Sequence, residues 1–157
     1  MLVTVRYTQE VETPFDETFF VVIAKETLIR CPLSALKEKQ AVSVNVIAVS
    51  SEKIQELNRA YLGKDAVTDI LSFGEYADTM AFEKDAESVV FLGEIFFCPA
   101  FIGTSATEDG VTLEHEMTYV FSHGVLHLLG YDHSDEMFSL QDQTTEFLMQ
   151  HHTTEEK

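Results

Sequence analysis

Three histidines fall within eleven residues, in His123-Gly124-Val125-Leu126-His127-Leu128-Leu129-Gly130-Tyr131-Asp132-His133, at offsets of +4 and +10 from the first. Residues four apart on an α-helix lie one turn above each other, so His123 and His127 can bring ring nitrogens to a single point. A third ligand must come from beyond the helix, because the next position on that face falls near residue 130, a glycine. Gly130 suits a left-handed C-terminal cap that ends the helix and lets His133 fold back toward the other two. Three neutral imidazoles with an open fourth position are the ligand set of a catalytic zinc ion, one per chain, as opposed to the closed shell of a structural one. Such an ion brings the pKa of bound water toward about 7 and polarises a phosphoryl oxygen. The catalytic group is then water on the metal, and no side chain is singled out as the general base.

The histidines and the glycine share their offsets with the metzincin protease signature H-E-x-x-H-x-x-G-x-x-H. Where that signature carries its glutamate base, this chain has Gly124. The metal-holding spacing is present without the group that serves peptide hydrolysis. His115 lies off the ligand stripe and His151 and His152 sit in a polar tail, so these three read as solvated.

The elements that must position the site follow from pattern. Thr112 suits the cap of the metal helix, with Glu114 and Glu116 favouring its dipole. Leu113, Met117, Val120, Phe121, Gly124 and Leu128 form its buried stripe; Glu116, Tyr119, His123 and His127 form the ligand stripe. Ser134 caps a last helix to about residue 150, with Met137, Leu140, Thr144, Phe147 and Leu148 facing inward, and the remaining residues are expected to be disordered. Strands are expected at 2–7, 42–49, 69–75 and 88–98. A helix capped by Thr13 with Pro14 in its first turn buries Phe15, Phe19, Val22, Ile23 and Ile29; another, capped by Ser50 or Ser51, turns Ile54, Leu57 and Tyr61 inward and ends at Gly63. Residues 76–87 read as a loop. The fold class is α+β: a single domain over 1–157, about four strands in a mixed sheet packed with helices, with the metal site at the end of a central helix.

Composition narrows the setting. The longest apolar runs, 19–24 and 95–102, fall far short of the roughly 20 residues of a membrane span, so no membrane association is expected. Cys31 and Cys98 are far apart and form no C-x-x-C, which suits two reduced thiols in the cytoplasm. Against 10 basic side chains stand 27 acidic ones, a net charge of −17, and nine of the ten basic residues lie at or before Lys84. A basic footprint is the usual sign of nucleic-acid binding. Because exposed charges are screened beyond about 8 Å at physiological salt, the local patch decides, but this acidity implies weak affinity for free RNA and help from a basic partner.

Position for position, 123–133 resembles the H-G-x-L-H-L-x-G-Y-D-H motif of the YbeY family, metal-dependent endoribonucleases of ribosomal RNA maturation. Two further blocks, Leu57 to Phe73 and Leu92-Gly93-Glu94-Ile95, resemble that family in the same order, and the likeness spans most of the chain. The resemblance implies a zinc-dependent, single-strand-specific endoribonuclease acting in ribosomal RNA processing, at the 3′ end of the small-subunit RNA, and in ribosome assembly or quality control. Its partners would be ribosomal RNA and the ribosome or a basic ribosomal protein, with no DNA. The metal ligands would be His123, His127 and His133; Asp132, by its place in the sequence, either orients a ligand imidazole from behind or stabilises the turn after Gly130. Glu94 stands where the family carries Asp, as a supporting or simply buried carboxylate. Leu62 stands where the family has a phosphate-gripping arginine and Val67 where it has proline; Arg59 or Lys64 would then meet the substrate. A non-enzymatic assembly factor keeping the metal for structure, or a metal hydrolase acting on peptides or small molecules, are the alternative readings.

Overall fold

Along residues 41–48 every second side chain is enclosed, and Val42, Val44, Val46 and Ala48 are almost wholly buried, as a β-branched run inside a sheet should be. The computed structural model describes residues 1–155, with side chains as far as His151. In it β1 (Leu2–Gln9), β2 (Ala41–Ala48), β3 (Ile70–Gly74) and β4 (Val89–Phe97) form one sheet in the order β1-β2-β4-β3. β1, β2 and β4 are parallel, and β3 runs antiparallel to β4 at the edge. The helices are α1 (Glu17–Arg30), α2 (Ser51–Leu62), the single-turn α3 (Thr79–Glu83), α4 (Pro99–Asp109), α5 (Leu113–Leu128) and α6 (Asp135–Glu155). α5 is the central one, packed against α1, α4, α6, β3 and β4. The α+β architecture and the four strands are as expected from the sequence. No helix among the described residues is long and apolar enough to cross a membrane.

Most of the core lies between the sheet and α1, α5 and α6. A smaller cluster of Val49, Ile54, Leu71 and Cys98 seats α2 on the other face. α2 is capped as expected, by Ser50 accepting from the Lys53 amide (3.2 Å) and by Gly63 at φ +70°. Tyr61 is exposed instead of buried, its ring edge-on to Phe73 at 5.3 Å.

Four expectations are corrected. α1 begins later, because Asp16 accepts from the Phe19 amide (2.9 Å), while the Thr13 hydroxyl is engaged by Tyr7 Oη and the Phe15 amide. Its buried stripe is Phe20, Ile23, Ala24, Thr27 and Leu28, leaving Val22 and Ile29 exposed. A segment apolar on every side has no unique phase; here Phe20 sets it by packing among the Tyr7, Phe97 and Phe121 rings. The supposed loop 76–87 contains α3, capped by Asp78 on the Ala81 amide (2.8 Å) and anchored by fully buried Phe82. Helix continues past residue 150 to Glu155, with Phe147 packed under the Arg30 guanidinium (4.4 Å) and the His151 ring; residues 156 and 157 lie outside the described residues.

Glu94 is the fourth. β4 pairs Ser43 with Phe91 but Val44 with Gly93, so Leu92 is an extra residue. This bulge reverses the alternation of every later side chain. Val90 and Leu92 face the main core, then Ile95 and Phe97 do, and Glu94 turns out to the opposite, solvent-exposed face. It is neither buried nor beside the histidines.

Candidate functional site

α5 starts where Thr112 Oγ1 accepts from the His115 amide (3.1 Å) and ends in a tight double cap. The Gly130 amide donates to the His127 carbonyl (2.9 Å) and the Tyr131 amide to that of Leu126 (3.1 Å), with Gly130 at φ +99°. A Cβ on Gly130 would lie 2.2 Å from the carbonyl carbon of Asp78, so the cap also needs glycine to pass under α3. The reversed chain brings His133 back over α5, and Ser134 Oγ then accepts from the Met137 amide (3.2 Å) to start α6.

The three side chains meet as their spacing implies. His123 Nε2 lies 2.9 Å from His127 Nε2, and His133 Nε2 lies 3.2 Å from both. Tetrahedral nitrogens about 2.0–2.1 Å from a zinc ion would be roughly 3.3 Å apart. The His123–His127 contact is not a hydrogen bond, because the protons of both rings are elsewhere. His127 Nδ1 donates to the Tyr131 carbonyl (2.9 Å). His123 Nδ1 faces Gln141 Oε1 (3.3 Å), whose amide nitrogen is turned away by donating to the Tyr119 carbonyl (2.9 Å). Both rings therefore aim Nε2 lone pairs at one point, an arrangement that a bound cation would relieve. The group could hold a metal ion.

Burial holds both imidazoles below the ordinary value of 6.5; the neighbouring His127 adds to this for His123, and a hydrogen bond to Tyr131 partly offsets it for His127. The unfolded chain thus takes up protons at a pH where the folded one refuses them. Metal-free protein should keep its stability above about pH 6.5 and lose it as pH falls through that value. Melting in chelator between pH 5 and 8 measures this, and a His123→Asn, His127→Asn double variant should flatten the profile. An equally steep profile in the variant would assign the loss to other groups.

The histidines stand at one end of a cleft of about 690 Å³. α5 forms one wall with Glu116 and Tyr119, and the end of α2 with the following loop forms the other, with Leu62, Lys64 and Asp69. β3 lies between them. Asn58, almost fully buried, donates to the Ala66 carbonyl (3.0 Å) and accepts the Lys64 amide on its own carbonyl, which fixes the loop. Burial, then Asp109, raises the Glu116 carboxyl above its usual range, and burial raises the Tyr119 phenol likewise. Among the described residues Lys64 is the only Lys or Arg lining the cleft, against Asp69 and Glu116.

Gly124 has a packing role. A Cβ there would meet Ile70 Cδ1 at 3.0 Å, Ser72 Oγ at 3.1 Å and Ile95 Cδ1 at 3.3 Å, while Ser72 Oγ donates to its carbonyl (3.3 Å). The position where a protease carries its base is pressed onto the sheet.

Of the substrate candidates, Lys64 lines the cleft and Arg59 is exposed outside it. Val67, in place of proline, packs on the α2 cluster. Asp132 is exposed and hydrogen-bonds neither imidazole; the Tyr131 carbonyl and Gln141 hold those positions. Gln141 was missed. Its one signal is a polar residue beside Leu140 and Thr144 on the inward stripe of α6, 2% exposed. Phe138 was missed too; its ring lies parallel to that of His133 at 6.0 Å. His115 is half-buried with an enclosed, unpartnered Nδ1, not solvated, in a helix that α4 packs against. His151 is exposed, and the side chain of His152 lies outside the described residues.

Residues 7–150 match the family model described as Endoribonuclease YbeY. A protein named Endoribonuclease YbeY from Roseiflexus sp. (strain RS-1) is 37% identical over 108 residues, 69% of this chain and 68% of that one. Another of that name, from Ureaplasma urealyticum serovar 10, is 34% identical over 143 residues, 87% and 86% of the two chains. The solution structure of TM1509 from Thermotoga maritima superposes with a TM-score of 0.60 at 32% identity, covering 96% of this chain and 93% of that one.

Proposed function

This chain belongs to the YbeY endoribonuclease family, and from that premise we propose that it is a zinc-dependent endoribonuclease that cuts single-stranded RNA during ribosomal RNA processing. The observation that carries the reading is the convergence of three Nε2 atoms at the end of an open cleft. His123, His127 and His133 would hold the ion. When bound, it supplies a Lewis acid for a phosphoryl oxygen and a water of lowered pKa.

The protein's own groups do the rest. The Tyr131 carbonyl and Gln141 keep the His127 and His123 protons on Nδ1, so that Nε2 stays free. Asp69 and Glu116 repel a phosphate backbone from their side of the cleft, and the Lys64 ammonium attracts it, which gives the strand a track past the histidines. A net charge of −17 with one cation in the cleft fits weak binding of naked RNA and delivery by a basic partner, for which a ribosomal protein at the 3′ end of the small-subunit RNA is suited. The same setting implies a part in ribosome assembly or quality control. Two free, buried cysteines suit the reducing cytoplasm. With glycine pressed on the sheet where a peptidase needs its base, peptide hydrolysis is disfavoured.

Incubation with a single-stranded RNA and with casein, each with and without chelator, tests the reading. Chelator-sensitive cleavage of RNA alone is expected; cleavage of casein alone would overturn it. Leu62, 54% exposed on the cleft, should become a phosphate contact in Leu62→Arg, which would raise RNA affinity and steepen the slope of log affinity against log salt by roughly 0.7. Lys64→Ala should flatten that slope by the same amount, and Arg59→Ala should leave it nearly unchanged.

A further inference from the structure

β3 meets the cleft with its unpaired edge. Its two faces are engaged, one by α5 and the other by α2, and residues 70, 71, 72 and 74 nonetheless line the cleft. The pairing says which backbone groups look outward. The Cys98 amide donates to the Asp69 carbonyl (2.9 Å), and these two residues stand opposite each other in the register that pairs Ile70 with Phe97. Antiparallel pairs alternate between exchanging both hydrogen bonds and exchanging none. Leu71 and Phe73 therefore bond to β4, while Ile70 and Ser72 turn their N–H and C=O away from it. The Ile70 amide is already taken, by Asp69 Oδ1 at 2.7 Å. Ser72 keeps a free donor and a free acceptor, side by side, on the edge that lines the cleft.

A strand residue of this kind exchanges two hydrogen bonds with one partner, a donor matched to an acceptor and the reverse. Each of the four RNA bases carries that complementary pair on its Watson–Crick edge: N3–H beside O4 in uracil, N4–H beside N3 in cytosine, N6–H beside N1 in adenine, N1–H beside O6 in guanine. In a duplex those edges are occupied by the opposite strand; in a single strand they are open to protein groups. Tyr76 and Tyr119 line the same cleft and offer rings on which a base can stack. We propose that the free backbone N–H and C=O of Ser72 grip the Watson–Crick edge of one unpaired base in the cleft, and so select single-stranded RNA without regard to sequence. The proposal rests on the endoribonuclease reading above and adds to it the device that rejects duplex.

Substrate chemistry tests it without altering the protein. Oligouridylate and the same oligomer built from N3-methyluridine share every phosphate and sugar, but the methyl group removes the donor and blocks the acceptor beside it. The zinc-loaded full-length protein should cut the unmodified oligomer with a kcat/KM roughly tenfold higher, as loss of a paired donor and acceptor implies. Ser72→Pro removes the amide at an edge position outside the β4 ladder, where proline is tolerated. It should cut both oligomers at the low rate, and Ser72→Ala should keep the discrimination. Equal rates on the two oligomers with the unaltered protein would overturn the proposal, whether or not Ser72→Pro folds. So would a folded Ser72→Pro that still discriminates. If neither oligomer is cut while casein is, the endoribonuclease reading falls, and this one with it.

Discussion

Replacing His127 by alanine should give a folded protein that neither retains a divalent ion nor cuts RNA. Its Nε2 lies 2.9 Å from that of His123 and 3.2 Å from that of His133, and two imidazoles cannot supply the facial set that three do. The loss of affinity should exceed the ten- to hundredfold that follows from removing only a supporting hydrogen bond. The fold should survive, because the core between the sheet and α1, α5 and α6 closes without the site. Elemental analysis, RNA cleavage and circular dichroism together check this. Full ion retention in His123→Ala, His127→Ala and His133→Ala would remove the site, and collapse of the helical signal on chelation would make the ion a folding element.

Gly130→Ala should be nearly as damaging by a different route. The new Cβ would stand 2.2 and 2.3 Å from the carbonyl carbon and oxygen of Asp78, at a φ of +99° that suits only glycine. Backbone strain of about 1–3 kcal/mol and overpacking of a similar size add to a loss of roughly 2–6 kcal/mol. The displaced turn carries His133, so ion affinity should fall as well. Gly63→Ala is the internal control: it has φ +70° but nothing within 4 Å of the new Cβ, and should lose only about 1–2 kcal/mol. Urea unfolding of the two metal-free variants makes the comparison. Equal losses would mean that the contact with Asp78 yields easily.

The parts of the molecule that obey one period were legible in the sequence. The α5 stripe, the β-branched run of β2 and the caps at Ser50, Thr112 and Ser134 each depend on neighbours close in sequence, and the residues name them. The histidine cluster was legible for the same reason, since a helix and one capping glycine bring its members together. What was not legible depends on contacts between distant segments. The bulge at Leu92 lies between the pairs Ser43–Phe91 and Val44–Gly93, where Gly93 is pressed against β3, and the reversal it makes sends Glu94 away from the core. Asp132 carries the charge expected of an orienting group, yet the carbonyl of Tyr131 and a glutamine nine residues beyond Asp132 hold the rings. Arg59 and Lys64 looked equivalent until Gly63 turned the chain and put only Lys64 on the cleft. In α1 six consecutive apolar residues hid the phase, which Phe20 decides through the ring of Phe121, a hundred residues away.

The cleft draws on Asn58 from one end of its length and Gln141 from the other, with β3 and α5 between. No N-terminal piece that stops short of residue 141 contains the whole of it. At roughly 5–20 residues per second, several seconds of synthesis separate the appearance of the α2 wall from that of the helix that orients His123. A growing polypeptide that has not reached residue 141 lacks the side chain that faces His123 Nδ1. The site is thus finished only when the last helix has been made and has docked on α5.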